Sequence, residues 1–331
     1  MKIIGLEEHL IDPGIAKASM SAQEKTAPYF KESLVPNLTA FPAPGSLEDI
    51  SEKRLADMDA NGIAMQVLSI SSAAQLITGT EAIPLTVQAN NRLAAAVKAH
   101  PDRFAAFAAL PMAHSEAAAT ELERVVKELG FKGAMLPGRP EAGTAFLDDE
   151  RYAPVLAMAA KLNTPIYLHP GFPIRPVQQV YYEGFDPIVS ARLSVFGWGW
   201  HAEAGIHLLR LILSGAFDKY PDLQLITGHW GEMVPFFLSR LDDSLPKAIT
   251  HLQKTISEYF TEHVYVTPSG MFGIPHLLFT MQTVGVDRIL FSVDYPYIGN
   301  EGARNFLENA PIAQADKEKI AHLNAEKLLK L

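Results

Sequence analysis

Eight short runs rich in branched apolar residues, each separated from the next by a stretch of helical pattern, predict an α/β protein built as a (β/α)8 barrel. Three observations carry this. Strand and helix patterns alternate along the chain. Several runs are apolar at consecutive positions, as parallel strands covered on both faces must be. The length of 331 residues is one that a single barrel fills, so residues 1–331 are expected to form one domain.

The runs are "IIGLE" at 3–7, "IAMQVLS" at 63–69, "FAAFAAL" at 104–110, "KGAML" at 132–136, "TPIYLH" at 164–169, "LQLITGH" at 223–229, "VYVTPS" at 264–269 and "RILFSVD" at 288–294. Between them, "SEKRLADMDANG" reads as a helix stopped at Asn61-Gly62, and "SEAAATELERVVKELG" as a helix capped by Ser115 and ended by Gly130. "ADKEKIAHLNAEKLLKL" supplies a closing helix. A doubly wound open sheet is the alternative, but it lacks its fingerprint. The chain contains no G-x-G-x-x-G after an early strand, and neither a P-loop nor a G-x-S-x-G elbow.

Two connections exceed ordinary barrel loops and are expected to be insertions that shape or cover a site. The first runs from Leu10 to about Ser46 and carries "FPAPG". The second follows His169 as "PGFPIRPVQQVYYEGFDPIVSARLSVFGWGW".

A formal charge of −9, with no block of Lys or Arg, disfavours a nucleic-acid partner. The absence of cysteine excludes disulfides and thiolate metal sites and fits a reducing compartment. The apolar run after Lys2 is too short for a signal-peptide core, and no apolar stretch is long enough for a membrane span, so a cytoplasmic protein is expected.

In such a barrel the carboxyl ends of the strands converge on one mouth, where chemistry is assembled. Glu7 and His9 end the first run and, two residues apart on extended chain, face the same side; Glu8 faces the other. His169 ends the fifth run, His229 the sixth and Asp294 the eighth. Any one of them alone reads as a structural residue, a salt-bridge partner or a turn former. Four strands independently ending in good ligands is harder to ascribe to structure alone. Glu7, His9, His169 and Asp294 make a mixed nitrogen and oxygen set suited to one divalent ion such as Zn2+ or Mn2+. His229 is a further ligand or an acid–base group whose tautomer is fixed by Glu232 in "GHWGE". The other eight histidines read as capping, core or solvated residues.

"LEEH", "LHP", "GHWGE", "FSVDYP" and the tail "NAEKLL" resemble the amidohydrolase superfamily. Within it they resemble the branch of metal-dependent aromatic acid decarboxylases that includes the γ-resorcylate and 2,3-dihydroxybenzoate enzymes. The resemblance spans the chain. It implies one divalent ion, Mn2+ or Zn2+, with Mg2+ as a further option. Glu7 stands where the broad superfamily has a histidine, and Leu136 ends the run where dinuclear members carry a bridging lysine. It also implies that Arg240 meets the substrate region across a subunit contact, that Trp198 walls the pocket, and that the protein is a homodimer or homotetramer. The apolar face of "HLLRLILSGAF" offers a contact surface, unless the barrel core buries it.

The reaction implied is non-oxidative decarboxylation of an ortho-hydroxy aromatic acid, with Asp294 protonating the ring and His229 and Glu232 managing the phenolic proton. The alternatives are a metal-dependent hydrolase of an amide, ester or lactone, and a non-catalytic metal-binding scaffold.

Overall fold

The computed structural model describes residues 1–34, 42, 45–141 and 143–331. Seven of the eight apolar runs contain strands: β1 Ile4–Leu10, β2 Met65–Ile70, β3 Phe104–Ala106, β4 Ala134–Pro137, β5 Ile166–His169, β6 Leu225–Thr227 and β7 Val264–Val266. All their pairings are parallel, in the orders β1-β2-β3 and β4-β5-β6-β7.

Three sets of backbone contacts join these two sheets into a ring. Ala108 bridges Ala134, which connects the β3 side to β4, and Val266 bridges Ile289 beyond β7. The amide of Leu6 then donates to the Phe291 carbonyl at 3.0 Å, and that of His9 to the Tyr295 carbonyl at 2.6 Å. Residues 288–294 therefore act as the eighth stave, although only Ile289 makes a ladder bridge. The chain closes on itself as a (β/α)8 barrel.

Inside the ring pack Ile4, Leu6, Val67, Phe107, Tyr167 and Leu290, all fully buried. The outward faces of the strands pack under the helices in a second, larger apolar layer. β1 changes phase between these layers. Ile4 and Gly5 pair with Met65 and Gln66, but Glu8 pairs with Leu68, so one extra residue of β1 is accommodated between Gly5 and Glu8. This bulge lets Ile4 and Leu6 line the interior low in the barrel while Glu7 and His9, of opposite parity, line it at the mouth.

The helix Glu52–Asn61 ends at Gly62 in the left-handed region, φ +67°, as its sequence predicts. The helix Ser115–Leu129 ends likewise at Gly130, but its cap position is His114, one residue before the expected Ser115, and it carries no side-chain cap bond. The closing helix comes in three pieces, Gln314–Glu318, a π turn Lys319–Leu323, and Asn324–Leu329. Ala325 and Leu329 join the interior cluster of Ile4 and Met65, so the end of the chain stoppers the barrel opposite its mouth.

Both long connections contain helices: Pro13–Thr26 and Phe30–Ser33 in the first, Arg175–Tyr181 and Pro187–Ser194 in the second. They pack on each other. Gln178 donates to the Thr26 carbonyl at 2.8 Å, and the Phe30 and Phe172 rings meet edge to face at 5.2 Å. Most of "FPAPG" lies outside the described residues. In "HLLRLILSGAF", Leu208, Leu211 and Ile212 are fully buried in the barrel's own core, so the core takes most of that face. Among the described residues, no helix is long and apolar enough to cross a membrane.

A candidate metal centre at the barrel mouth

Glu7, His9, His169 and Asp294 arrive from β1, β5 and the eighth stave, and each offers one ligand atom within 4.8 Å of the others. His9 Nε2 approaches Asp294 Oδ1 to 3.1 Å, and His169 Nε2 approaches Glu7 Oε1 to 3.3 Å.

The outer bonds of these side chains leave their inner atoms free. Glu7 Oε2 accepts from the hydroxyls of Tyr167 at 2.7 Å, Ser292 at 3.3 Å, and Ser269. Glu7 Oε1 has no hydrogen-bond partner among the described residues, although Glu7 is fully buried. His169 Nδ1 meets the Pro170 carbonyl at 2.9 Å; a carbonyl only accepts, so Nδ1 carries a hydrogen, and in the neutral ring Nε2 then has a lone pair for a metal. His9 Nδ1 contacts Ser69 Oγ at 3.1 Å, and its buried Nε2 is the second orphan. Buried polar atoms rarely lack partners, and imidazoles that tie one nitrogen to an outer group are typical of metal ligands. Two orphaned atoms aimed into a cluster of two imidazoles and two carboxylates fit one divalent cation with nitrogen and oxygen ligands.

The charges agree. Burial alone would raise the Glu7 carboxyl, but its contact with His169 and the surrounding imidazoles hold it well below the ordinary range. Burial raises Asp294, with the Glu7 charge adding to it and His9 opposing, so of the two carboxyls Asp294 keeps a proton more readily. Asp294 sits at φ +71°, unusual for a residue with a side chain.

His229 opens a second, contiguous cluster. The segment from Gly228 to Met233 is a tight turn in which His229, Trp230, Glu232 and Met233 all have positive φ. It holds His229 Nδ1 2.8 Å from Glu232 Oε1. The other oxygen, Oε2, lies 2.9 Å from His201 Nδ1, and the two imidazole rings are 4.3 Å apart. Sequence context groups His201 with the structural histidines, and nothing in that context marks it for this place. Its nearest ionic partner lies 31 positions away. Trp200 donates its indole N–H to His201 Nε2 at 3.1 Å and packs against Phe172 and Phe196.

Trp198 and Arg240 are the remaining expected residues. Trp198 caps the helix Gly199–Leu213 and is 47% exposed. Arg240 is exposed on the helix Val234–Ser244, beside the exposed rings of Phe236 and Phe237. Glu8 faces away from the centre, as its parity predicts, and its carboxyl accepts the amides of Val293 and Tyr295. Burial pushes it up to about 8 against the pull of those bonds and of Arg54.

The amidohydrolase family profile matches residues 42–331. A γ-resorcylate decarboxylase from Polaromonas sp. is 38% identical over 297 residues, covering 86% of this chain and 89% of that one. The crystal structure of a dihydroxybenzoic acid decarboxylase from Polaromonas sp., with manganese and the inhibitor 2-nitroresorcinol, superposes with a TM-score of 0.86 at 35% identity, covering 100% of this chain and 97% of that one. A 2,6-dihydroxybenzoate decarboxylase complexed with 2,6-dihydroxybenzoate gives a TM-score of 0.84 at 34% identity, over 100% of both chains.

Proposed function

The chain belongs to the amidohydrolase family, and we propose that its Glu7, His9, His169 and Asp294 hold one divalent ion at which an ortho-hydroxy aromatic acid is decarboxylated. The enzyme is a metal-dependent carboxy-lyase whose reaction is non-oxidative. The observation that carries the site assignment is the pair of orphaned atoms, Glu7 Oε1 and His9 Nε2, turned toward the same point as His169 Nε2 and the Asp294 carboxyl. The ion, manganese as in the Polaromonas structure or zinc, supplies when bound the positive charge that favours the substrate's phenolate and carboxylate oxygens.

The protein's side chains manage the protons. Loss of CO2 directly from the ring would leave an aryl carbanion with nowhere to place its charge. Asp294, raised by burial, delivers a proton to the ring carbon that bears the carboxylate. The bond to the carboxyl carbon then breaks, its electron pair returns to the ring, aromaticity is restored and CO2 departs. His229, oriented by Glu232, takes and returns the phenolic proton. The Phe172, Phe196 and Trp200 rings near His201 offer an apolar wall that keeps water from the ring.

We further infer that residues 1–331 act as one cytoplasmic barrel domain, that Trp198 and Arg240 contact substrate, and that the protein is a homodimer or homotetramer. Closure of the ring between stretches from both ends of the chain supports the single domain. Arg240 is exposed and shares its helix with Phe236 and Phe237, 73% and 52% exposed, which suits a contribution across a subunit contact. Sedimentation tests the oligomer, and Arg240→Ala tests the contact by its KM.

The hydrolase alternative has no observation in its favour, since the three relatives above are decarboxylases. The deciding experiment incubates Mn2+-loaded protein with 2,6- and 2,3-dihydroxybenzoate and, in parallel, with aryl esters, lactones and amides. CO2 release from an ortho-hydroxy acid is expected. Turnover confined to the esters, lactones or amides overturns the proposal.

A further inference from the structure

The hydrogen bonding between the eighth stave and β1 changes character on both sides of Asp294. Leu6 and His9 donate to the carbonyls of Phe291 and Tyr295 as ladder partners do. The intervening amides of Val293 and Tyr295 donate instead to a side chain: Val293 N–H to Glu8 Oε1 and Tyr295 N–H to Glu8 Oε2, each at 3.1 Å. One carboxylate thus takes the place of two backbone acceptors where the β1 bulge has shifted the register.

The surroundings are built around this carboxylate. Glu8 is fully buried, and a Cβ at Gly5 would lie 2.3 Å from its Oε1, so only glycine leaves room for it. Arg54, also fully buried, donates to the His9 carbonyl at 2.7 Å and lies 4.8 Å from the centre of the Tyr295 ring, bracing the same junction from outside.

Asp294 needs such bracing. An L-residue at φ +71° is strained and persists only where neighbouring bonds over-determine it. Its carboxylate is useful only while aimed into the mouth, 3.1 Å from His9 Nε2. We propose that Glu8 is a positioning residue for Asp294: it grips the amides on either side and holds the Asp294 carboxylate on the divalent ion and the substrate ring. This rests on the ligand set proposed above. Glu8 itself touches neither ion nor substrate and acts through Asp294.

Glu8→Gln tests this, because it keeps the size of the side chain but turns an NH2 toward one of the two amide donors. The readouts are Mn2+ affinity by calorimetry, the thermal midpoint of the metal-free protein, and kcat and KM at saturating Mn2+. Mn2+ binding is expected to weaken by about tenfold or more. At saturating Mn2+, kcat stays depressed while KM changes little. Asp294→Asn, measured alongside, weakens Mn2+ binding as well. Wild-type Mn2+ affinity and kcat in folded Glu8→Gln, with only the midpoint lowered, overturn the positioning role and leave Glu8 a structural residue. Should Glu8→Gln fail to fold, Gly5→Ala displaces the same carboxylate without removing it and is judged by the same readouts. Wild-type Mn2+ affinity in Asp294→Asn overturns the ligand reading, and the positioning role falls with it. The metal titration needs no substrate, so it tests Glu8 even if the assigned reaction fails.

Discussion

Tyr167 donates its hydroxyl to Glu7 Oε2 at 2.7 Å from inside the barrel, tying one oxygen of a buried carboxylate whose other oxygen has no hydrogen-bond partner among the described residues. Burial and the Glu7 charge keep the phenol protonated, so it remains a donor at any working pH. Removing a group that orients a metal ligand typically costs tenfold or more in affinity. Tyr167→Phe is therefore expected to weaken Mn2+ binding by about tenfold. The fold should survive, because Ser269 and Ser292 still reach the same oxygen and the ring still fills the lumen. Titration of the metal-free variant with Mn2+ checks this; an unchanged constant makes Tyr167 a packing residue only.

The shared carboxylate of Glu232 separates two histidines by role. His229 pairs with one oxygen and His201 with the other, and the charges of Glu7 and Asp294 also act on His229. His229→Asn should leave Mn2+ affinity near wild type and lower kcat by about a hundredfold or more, the usual loss for an acid–base group. His201→Asn should cost less, about tenfold in kcat, because Glu232 keeps its bond to His229. Paired metal titrations and CO2-release assays decide. Wild-type turnover in His229→Asn makes the dyad structural, and loss of metal from it makes His229 a ligand.

The strand ends are legible in the sequence because the chemistry is local: an apolar run followed at once by Glu, His or Asp says where the run meets the mouth. The bulge in β1 is not. Ile4 and Leu6 line the lumen, and simple alternation from them would put Glu8 inside and Glu7 outside. Only the shifted pairing with β2 delivers Glu7 and His9, and no residue type announces it. His201 escapes for a different reason. It lies within a helical run, and its partner Glu232 is brought to it by the turn after β6, a tertiary fact with no periodic signature. The eighth run is recognisable by composition, yet its ladder is sparse because Glu8 supplies acceptors that a backbone would otherwise provide.

The His229–Glu232 pair also fixes a pH dependence of stability in the metal-free protein. Burial alone would lower the His229 imidazole, but Glu232 at 2.8 Å, helped by Glu7 and Asp294, lifts it from 6.5 to about 9. The folded state thus holds a proton that the unfolded chain releases between those values, so the free energy of unfolding falls as pH rises across that window. The pair's contribution is fully present below about pH 6.5 and lost as pH passes about 9. On the acid side burial opposes the shift, but His229 and His201 hold Glu232 below its ordinary 4.5, so that part is present above 4.5 and fades as pH falls through the lowered value. His169 is raised as well, against the effect of burial, and adds to the slope at neutral to basic pH. The difference between wild type and variant is therefore what reports on His229. Denaturant unfolding in chelator at pH 6, 7.5 and 9 should show wild type losing on the order of a few kcal/mol more than His229→Gln across the window. Equal losses would place the proton uptake elsewhere. A bound divalent cation repels the proton on His229, so Mn2+-loaded wild type should show a shallower decline than the metal-free protein over the same range.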